Sequence, residues 1–307
     1  ERVPFIKDYF SNQQQLEQFV SQCDVIVHLA AMNRNNDPQV IFETNIKLAQ
    51  KLVDALECTQ SKAHVLFSSS TQEERDNEYG KSKKAARELL YNWSQESGGK
   101  FTGLIIPNVF GPFGHPNYNS VIATFCHKLA HNETPTIAVD SELKLIYVGE
   151  LVEVLLSEIR NANSKAEMIV PYTATAKVSE ILHVLEKYKS EYQDKGIIPE
   201  IHSTFELNLF NTFRCYMDIA THFPVSFVEH TDDRGSFVEI IRLGVGGQVS
   251  FSTTIPGITR GNHYHTRKIE RFAVIKGKAL IQLRRIGTDE VLDFYLDGDA
   301  PSYVDMP

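Results

Sequence analysis

Cysteine is scarce in this chain. Cys23, Cys58, Cys126 and Cys215 are the four in 307 residues, and they form no Cys-x-x-Cys pair. That scatter reads as reduced thiols in a cytoplasmic protein, not as a disulfide framework. Long apolar runs are missing too: none approaches the roughly 20 residues that span a bilayer. The N-terminus opens at Glu1 and lacks a basic region followed by an apolar one, so no signal peptide is expected. Basic charge is in deficit, with 31 Lys and Arg against 39 Asp and Glu and a formal net charge of −8. Uniform nucleic-acid binding needs a basic field to neutralise phosphates and is not expected, whereas a local basic pocket for a nucleotide diphosphate remains open. Internal repeats and low-complexity tracts are also absent.

What is present points to two folded domains. The chain is too long for one typical core. Hydrophobic residues at 42% and charged residues at 23% match an ordinary soluble globular protein. Strands and helices alternate over the first two-thirds. Asp24 to Ala30, His64 to Ser68 and Phe101 to Ile106 are short apolar runs, read as buried parallel strands. Helical periodicity covers Ile41 to Leu56, Tyr79 to Trp93, Val121 to Ala130, Leu151 to Ile159 and Ser179 to Tyr188. This alternation implies an α/β, doubly wound parallel sheet covered by helices. Near Phe223 the pattern changes to short β-branched and aromatic runs separated by Gly, Pro and Asp. Gln248 to Thr253, Phe272 to Ile275 and Ala279 to Leu283 read as strands of an all-β sandwich or barrel. The predicted domains are residues 1–220 and 221–307, divided after the helical stretch near Leu207 to Met217.

Tyr79-Gly-Lys-Ser-Lys83 is the central motif of the first domain. Tyr and Lys four apart on a helix share one face. A cation beside a phenol favours the phenolate and lowers its pKa from about 10. Such a Tyr passes a proton near neutral pH. Ser68-Ser69-Ser70 ends a predicted strand just upstream, where open α/β sheets place their chemistry. A hydroxyl there can hold a carbonyl oxygen while Tyr79 protonates it. The competing structural readings are a polar pair on an exposed helix and a Ser-rich turn.

In order, Asp24-Val-Ile-Val-His-Leu-Ala-Ala31, Asn45, the triple Ser, Tyr79-x-x-x-Lys83 and Pro107-Asn108-Val-Phe-Gly-Pro112 resemble the extended short-chain dehydrogenases that act on nucleotide sugars. The likeness covers roughly residues 20 to 160. It implies a Rossmann-like fold and NADPH, or NADH, as cofactor. The implied catalytic set is Ser70, Tyr79 and Lys83. Leu29, Ala30 and Ala31 would let the dinucleotide lie close to the backbone, with Asn45, Ser68 and Pro107 also at the cofactor. Lys83 would hold the nicotinamide ribose beside Tyr79. Asn108, Ser69 and Asn119 would face the sugar nucleotide. Two departures stand out. The family's Gly-rich phosphate loop is absent, and the chain before Asp24 is too short to hold it, so a missing first strand–helix–strand unit is expected. Tyr147-Val-Gly-Glu150 stands where relatives often carry Tyr-Val-Asp-Asp. Dehydratases of the family use an acidic pair directly after the catalytic hydroxyl. Here Thr71 and Gln72 follow Ser70, and Glu73 and Glu74 are displaced by two, which leaves reduction or epimerisation.

In the second domain, Gly257-x5-His263-x-His265-x4-Glu270-x6-Gly277 fits a metal-binding pattern. Two His one residue apart on a strand point to the same face. Neutral imidazole and carboxylate suit Zn, Fe or Mn; the competing reading is a surface His pair near a turn. The spacing matches the first cupin motif. With Asp232-Asp-Arg-Gly-Ser-Phe-Val-Glu239 and Gly257-Ile-Thr-Arg-Gly-Asn-His-Tyr264, this part resembles cupin 3,5-epimerases of 4-keto-6-deoxy sugar nucleotides. The second cupin motif would begin where the chain stops, so the barrel is expected to lack its C-terminal part.

The two parts together resemble the bifunctional capsular polysaccharide enzymes that make the L-fucosamine precursor. The resemblance implies a relay on a UDP-linked 4-keto-6-deoxy amino sugar. The cupin, with Zn2+ or another divalent metal, epimerises C3; the reductase domain then reduces C4 with NADPH. It also implies a homodimer, without nucleic-acid or membrane partners. Two other readings stay open: a single-activity 4-epimerase or reductase with a dimerising cupin, and a non-catalytic nucleotide-sensing protein.

Overall fold

The computed structural model describes residues 3–232, 235–238, 240–241, 254, 256–265 and 269–306. In chain order the strands are β1 (Val25–His28), β2 (His64–Ser70), β3 (Lys100–Ile106), β4 (Asn108–Phe110), β5 (Glu142–Tyr147), β6 (Lys165–Ile169), β7 (Ala174–Lys177), β8 (Val225–Ser226), β9 (Glu229–Asp232), β10 (Gly235–Val238), β11 (Glu270–Val274), β12 (Lys278–Arg284), β13 (Val291–Asp297) and β14 (Ser302–Met306). The helices are α1 (Gln13–Val20), α2 (Pro38–Cys58), α3 (Glu78–Ser97), α4 (Val121–Ala130), α5 (Val148–Asn161), α6 (Val178–Tyr188), α7 (Thr204–Arg214) and α8 (Ile219–His222). They form two compact units. Unit 1 comprises Glu1–Val121 and Val139–Val178; unit 2 comprises Ile122–Ala138 and Ser179–Pro307.

Unit 1 is built on a parallel sheet in the order β1-β2-β3-β6, the Rossmann-like arrangement expected. Alternation along the strands divides its apolar residues between two layers. Val65, Phe67 and Phe101 pack with Leu16 of α1, Leu52 and Leu56 of α2, and Leu90 and Trp93 of α3. Leu66, Leu104 and Ile106 pack instead with Ile146 of β5 and Leu151 of α5. Apolar side chains on both faces explain why β2 reads as a continuous hydrophobic run. A second, smaller sheet joins β4 parallel to β5 and β5 antiparallel to β7.

Local chemistry sets the helix ends. Asp37 accepts a hydrogen bond from the Gln39 amide at 2.9 Å, and Pro38 opens α2. Asn77 caps α3 through the Gly80 amide at 2.8 Å, and Gly98 ends it at φ +73°. Glu150 serves the start of α5. Its carboxylate accepts from the Tyr147 amide at 3.1 Å and the Thr173 hydroxyl at 2.6 Å.

In unit 2 the described strands pair only antiparallel, as β11-β14-β8, β12-β13 and β9-β10. The expected strand from Gln248 to Thr253 lies outside the described residues, as do Asp233, Arg234 and Glu239 of the upstream motif. The core is Phe223, Phe294, Leu296, Tyr303 and Val304. Beside it Arg271 grips Asp305 with both ends of its fork, at 2.9 and 3.0 Å. The guanidinium stacks 3.7 Å from the Tyr303 ring centroid and donates to the Gly196 carbonyl at 3.2 Å. Tyr192 donates to the same carboxylate. Both charged side chains are almost fully buried, at 6% and 1% exposure, so each needs the other. Among the described residues no helix is long and apolar enough to cross a membrane.

Asp305→Ala should destabilise the protein by roughly 3–5 kcal/mol, because it strands the Arg271 charge in the interior. Urea unfolding of the variant against wild type checks this. A loss under about 1 kcal/mol would match an exposed pair and contradict the burial.

Candidate functional site

Parallel pairing sends the C-terminal ends of β1, β2 and β3 to one edge of the unit 1 sheet, and candidate residues gather along it. Leu29, Ala30 and Ala31 follow β1 directly; Leu29 is 62% exposed there. Ser68, Ser69 and Ser70 end β2, and buried Pro107 follows β3. Ser68 donates to the His28 carbonyl at 3.1 Å, tying β2 to the end of β1. Asn45, on α2, is buried, and its amide is taken up by protein. It accepts from the Met32 amide at 2.6 Å and donates to the Met32 carbonyl and the Ser82 hydroxyl, both at 2.9 Å. Ser82 in turn donates to the Tyr79 carbonyl at 2.7 Å. The loop after β1 is thereby pinned to the first turn of α3.

Tyr79 and Lys83 lie one helical turn apart on α3. Lys83 is only 2% exposed. Its ammonium sits 4.4 Å from the centre of the Phe67 ring, and among the described residues it has no hydrogen-bond or ion-pair partner. Burial pulls its pKa down to about 8, against the opposing pull of Glu73. His28 stacks on the same ring at 5.5 Å, and burial, then Lys83, push its pKa down to about 3, so it is neutral. The Tyr79 phenol is half-buried. Burial first, then Tyr118, raises its pKa. This corrects the expectation that Lys83 lowers it: the ammonium rests on Phe67, and desolvation dominates at the phenol.

Ser70 and Ser69 part ways by strand alternation. Ser70 caps the 3-10 turn Thr71–Glu74, accepting from the Gln72 amide at 3.2 Å. Ser69 is buried and donates to Glu73. Glu73 is also held by Arg87 through Nε at 2.9 Å and Nη2 at 2.8 Å. Arg87 reaches Glu167 at 2.8 Å as well. The turn presses close on α3: a Cβ on Gly80 would lie 2.0 Å from the Gln72 carbonyl oxygen. Asn108 is exposed and donates to the Lys144 carbonyl at 3.1 Å; Asn119 is exposed in the following loop. Sequence reasoning missed the Glu73–Arg87 pair, although Arg87 stands one turn beyond Lys83 on a buried helix face.

In unit 2, His263, His265 and Glu270 converge, with their donor atoms all within 4.8 Å of one another. Glu270 Oε2 lies 3.1 Å from His265 Nε2 and 3.7 Å from His263 Nε2. The two His occupy irregular backbone after Gly261, not the strand expected for them; Glu270 opens β11. His265 Nε2 is shut off from solvent and, among the described residues, forms no hydrogen bond, despite the nearby carboxylate. Two imidazoles and a carboxylate aimed at one point are a donor set for a divalent cation.

Residues 2–170 match the NAD dependent epimerase/dehydratase family, and residues 230–307 match the polysaccharide biosynthesis C-terminal domain. A UDP-2-acetamido-2,6-beta-L-arabino-hexul-4-ose reductase of Pseudomonas aeruginosa is 32% identical over 99% of this chain and 82% of its own length. The crystal structure of the capsular polysaccharide assembling protein CapF from Staphylococcus aureus is similar at a TM-score of 0.66 and 34% identity, covering 96% of this chain and 80% of that one. RMD from Pseudomonas aeruginosa complexed with NADPH shares the fold, at a TM-score of 0.59 and 18% identity over 70% of this chain and 89% of that one. Together with the parallel sheet, these matches identify the chain as a member of the NAD dependent epimerase/dehydratase family.

Proposed function

We propose that the protein reduces C4 of a UDP-linked 2-acetamido-2,6-dideoxy-4-hexulose with NADPH, after unit 2 has epimerised C3, in the synthesis of an L-fucosamine-type capsule or surface polysaccharide. One observation carries this reading: Ser70, Tyr79 and Lys83 stand at the C-terminal edge of the parallel sheet, in a chain that is 32% identical, over nearly its whole length, to a 4-keto sugar-nucleotide reductase. Bound NADPH supplies the hydride. Lys83 fits the ribose diol of that cofactor, because its ammonium has three donors and only an aromatic face to meet them. Ser70 holds the C4 oxygen, and Tyr79 gives it a proton as the carbonyl becomes an alcohol. A raised pKa keeps the phenol protonated for that task. Leu29, Ala30, Ala31 and Pro107 line the cofactor side, and Asn108 and Asn119 the sugar side.

Residues 221–307 act in this reading as a cupin whose base removes the C3 proton beside the 4-keto group. His263, His265 and Glu270 fit a divalent metal such as Zn2+, since their donor atoms lie within 4.8 Å of one another and the buried His265 Nε2 meets only the Glu270 carboxylate among the described residues. The metal supplies Lewis acidity for the enolate when bound. The order is chemically sensible: the ketone acidifies C3, and its reduction afterwards locks the new configuration.

Two variants separate the activities. Tyr79→Phe should lower C4 reduction by about two to four orders of magnitude while deuterium from solvent still enters C3. His265→Ala should do the reverse and lower metal content after dialysis. NADPH oxidation at wild-type rate in Tyr79→Phe would refute the assignment.

Lys83→Met gives a stability test. The folded-state pKa of Lys83 is depressed from 10.5 to about 8, so the unfolded chain binds more protons between those values. The cost of burying the charge is therefore present below about pH 8 and fades as pH rises toward 10.5. Removing the charge should stabilise the cofactor-free protein by up to about 3 kcal/mol at pH 7, with the gain shrinking by pH 10. Urea titrations at the two pH values measure it; activity is lost all the same.

A further inference from the structure

The loop after β1 holds two polar groups that the fold leaves unsatisfied. The Asn33 side-chain oxygen is sealed from solvent and has no hydrogen-bond partner among the described residues. Arg34 beside it is exposed, and no carboxylate pairs with it among the described residues. Its one hydrogen bond is a long one of 3.4 Å to the Asn117 carbonyl, and its guanidinium lies 6.0 Å from the centre of the Tyr118 ring.

This pair does not float free of the chemistry. The Met32 amide and carbonyl, immediately before Asn33, are both clamped by Asn45, which bonds Ser82, which bonds the Tyr79 carbonyl. Two hydrogen-bonded steps therefore fix the loop relative to the first turn of α3. Tyr118 adds, after burial, to the raised pKa of the Tyr79 phenol. Asn117 holds φ +57°, a left-handed conformation that Asn tolerates, and this turn presents its carbonyl to Arg34.

We propose that Arg34, 6.0 Å from the centre of the Tyr118 ring, binds the diphosphate of the sugar nucleotide and so positions the sugar against Tyr79. The inference rests on the reductase reading above. A planar guanidinium offers five donors in a fork that matches phosphate oxygens. The weak carbonyl contact leaves most of those donors for a ligand.

The experiment compares wild type with Arg34→Met and Arg34→Lys in the full-length protein. Calorimetry with UDP as the probe should show affinity falling about ten- to a hundredfold in Arg34→Met, the usual range for a charge-assisted hydrogen bond. Arg34→Lys should recover part of that loss, since it restores the charge without the fork. In steady-state assays the KM for the 4-keto sugar nucleotide should rise by a similar factor, with a smaller effect on kcat and an unchanged KM for NADPH. Equal UDP affinity in wild type and Arg34→Met would overturn the proposal. A loss of NADPH affinity as large as the loss for UDP would overturn it too, assigning Arg34 to the cofactor. Should wild type bind UDP through Arg34 yet reduce no 4-keto sugar, the clamp stands and the reductase reading falls.

Discussion

Strand β2 pairs in parallel on both sides, and every candidate group in unit 1 depends on that pairing. Its register runs Val25↔His64 to His28↔Phe67 against β1, and His64↔Lys100 to Ser70↔Ile106 against β3. Because the strands point the same way, their following loops leave at one edge. Phe67, inside this register, then supports the rest. His28 stacks on its ring, and the Lys83 ammonium lies over it. A one-residue slip would turn Phe67 to the other layer and remove the support.

Helix α3 places two cations one turn apart in opposite conditions. Arg87 is buried with Glu73 and also reaches the exposed Glu167, so its charge is matched in place. That pair ties the turn after β2 to the helix and keeps Ser70 at its post. Lys83 is buried with an aromatic face and no carboxylate, and its pKa drops to about 8. The matched cation is structural. The unmatched one stores an unfavourable burial that a ligand's hydroxyls can relieve, as expected of a functional site.

Unit 2 repeats the logic with different chemistry. Arg271 and Asp305 neutralise each other in the interior and lock β11 to β14. Glu270 is the residue before Arg271, so the ion pair also fixes the start of the strand that carries the carboxylate. The two imidazoles arrive from irregular backbone at Gly261, which holds φ +103°, a conformation open to glycine. A firm strand thus supplies one donor, and a glycine-permitted turn supplies two.

The sequence by itself determined the elements whose signal is local. Strands β1, β2 and β3 and helices α2 to α6 follow from apolar periodicity, because burial of one face leaves its mark on consecutive residues. Tyr79, Lys83 and the His263, His265 and Glu270 spacing were legible for the same reason: each lies on one short stretch. The short strands β4, β5, β6 and β7, and β13 and β14, were not legible. Segments such as Ala174–Lys177 are too brief and too mixed to carry a period. Only the tertiary structure decided that residues 122–138 join the unit of residues 179–307. It alone joined Asn45 to Ser82, 37 positions apart, and Ser69 to the Glu73–Arg87 pair. It also reversed the pKa expected for Tyr79. Charge spacing along a helix is written in the sequence, but the dielectric around a phenol is set by whatever packs over it, and packing is a property of the folded chain.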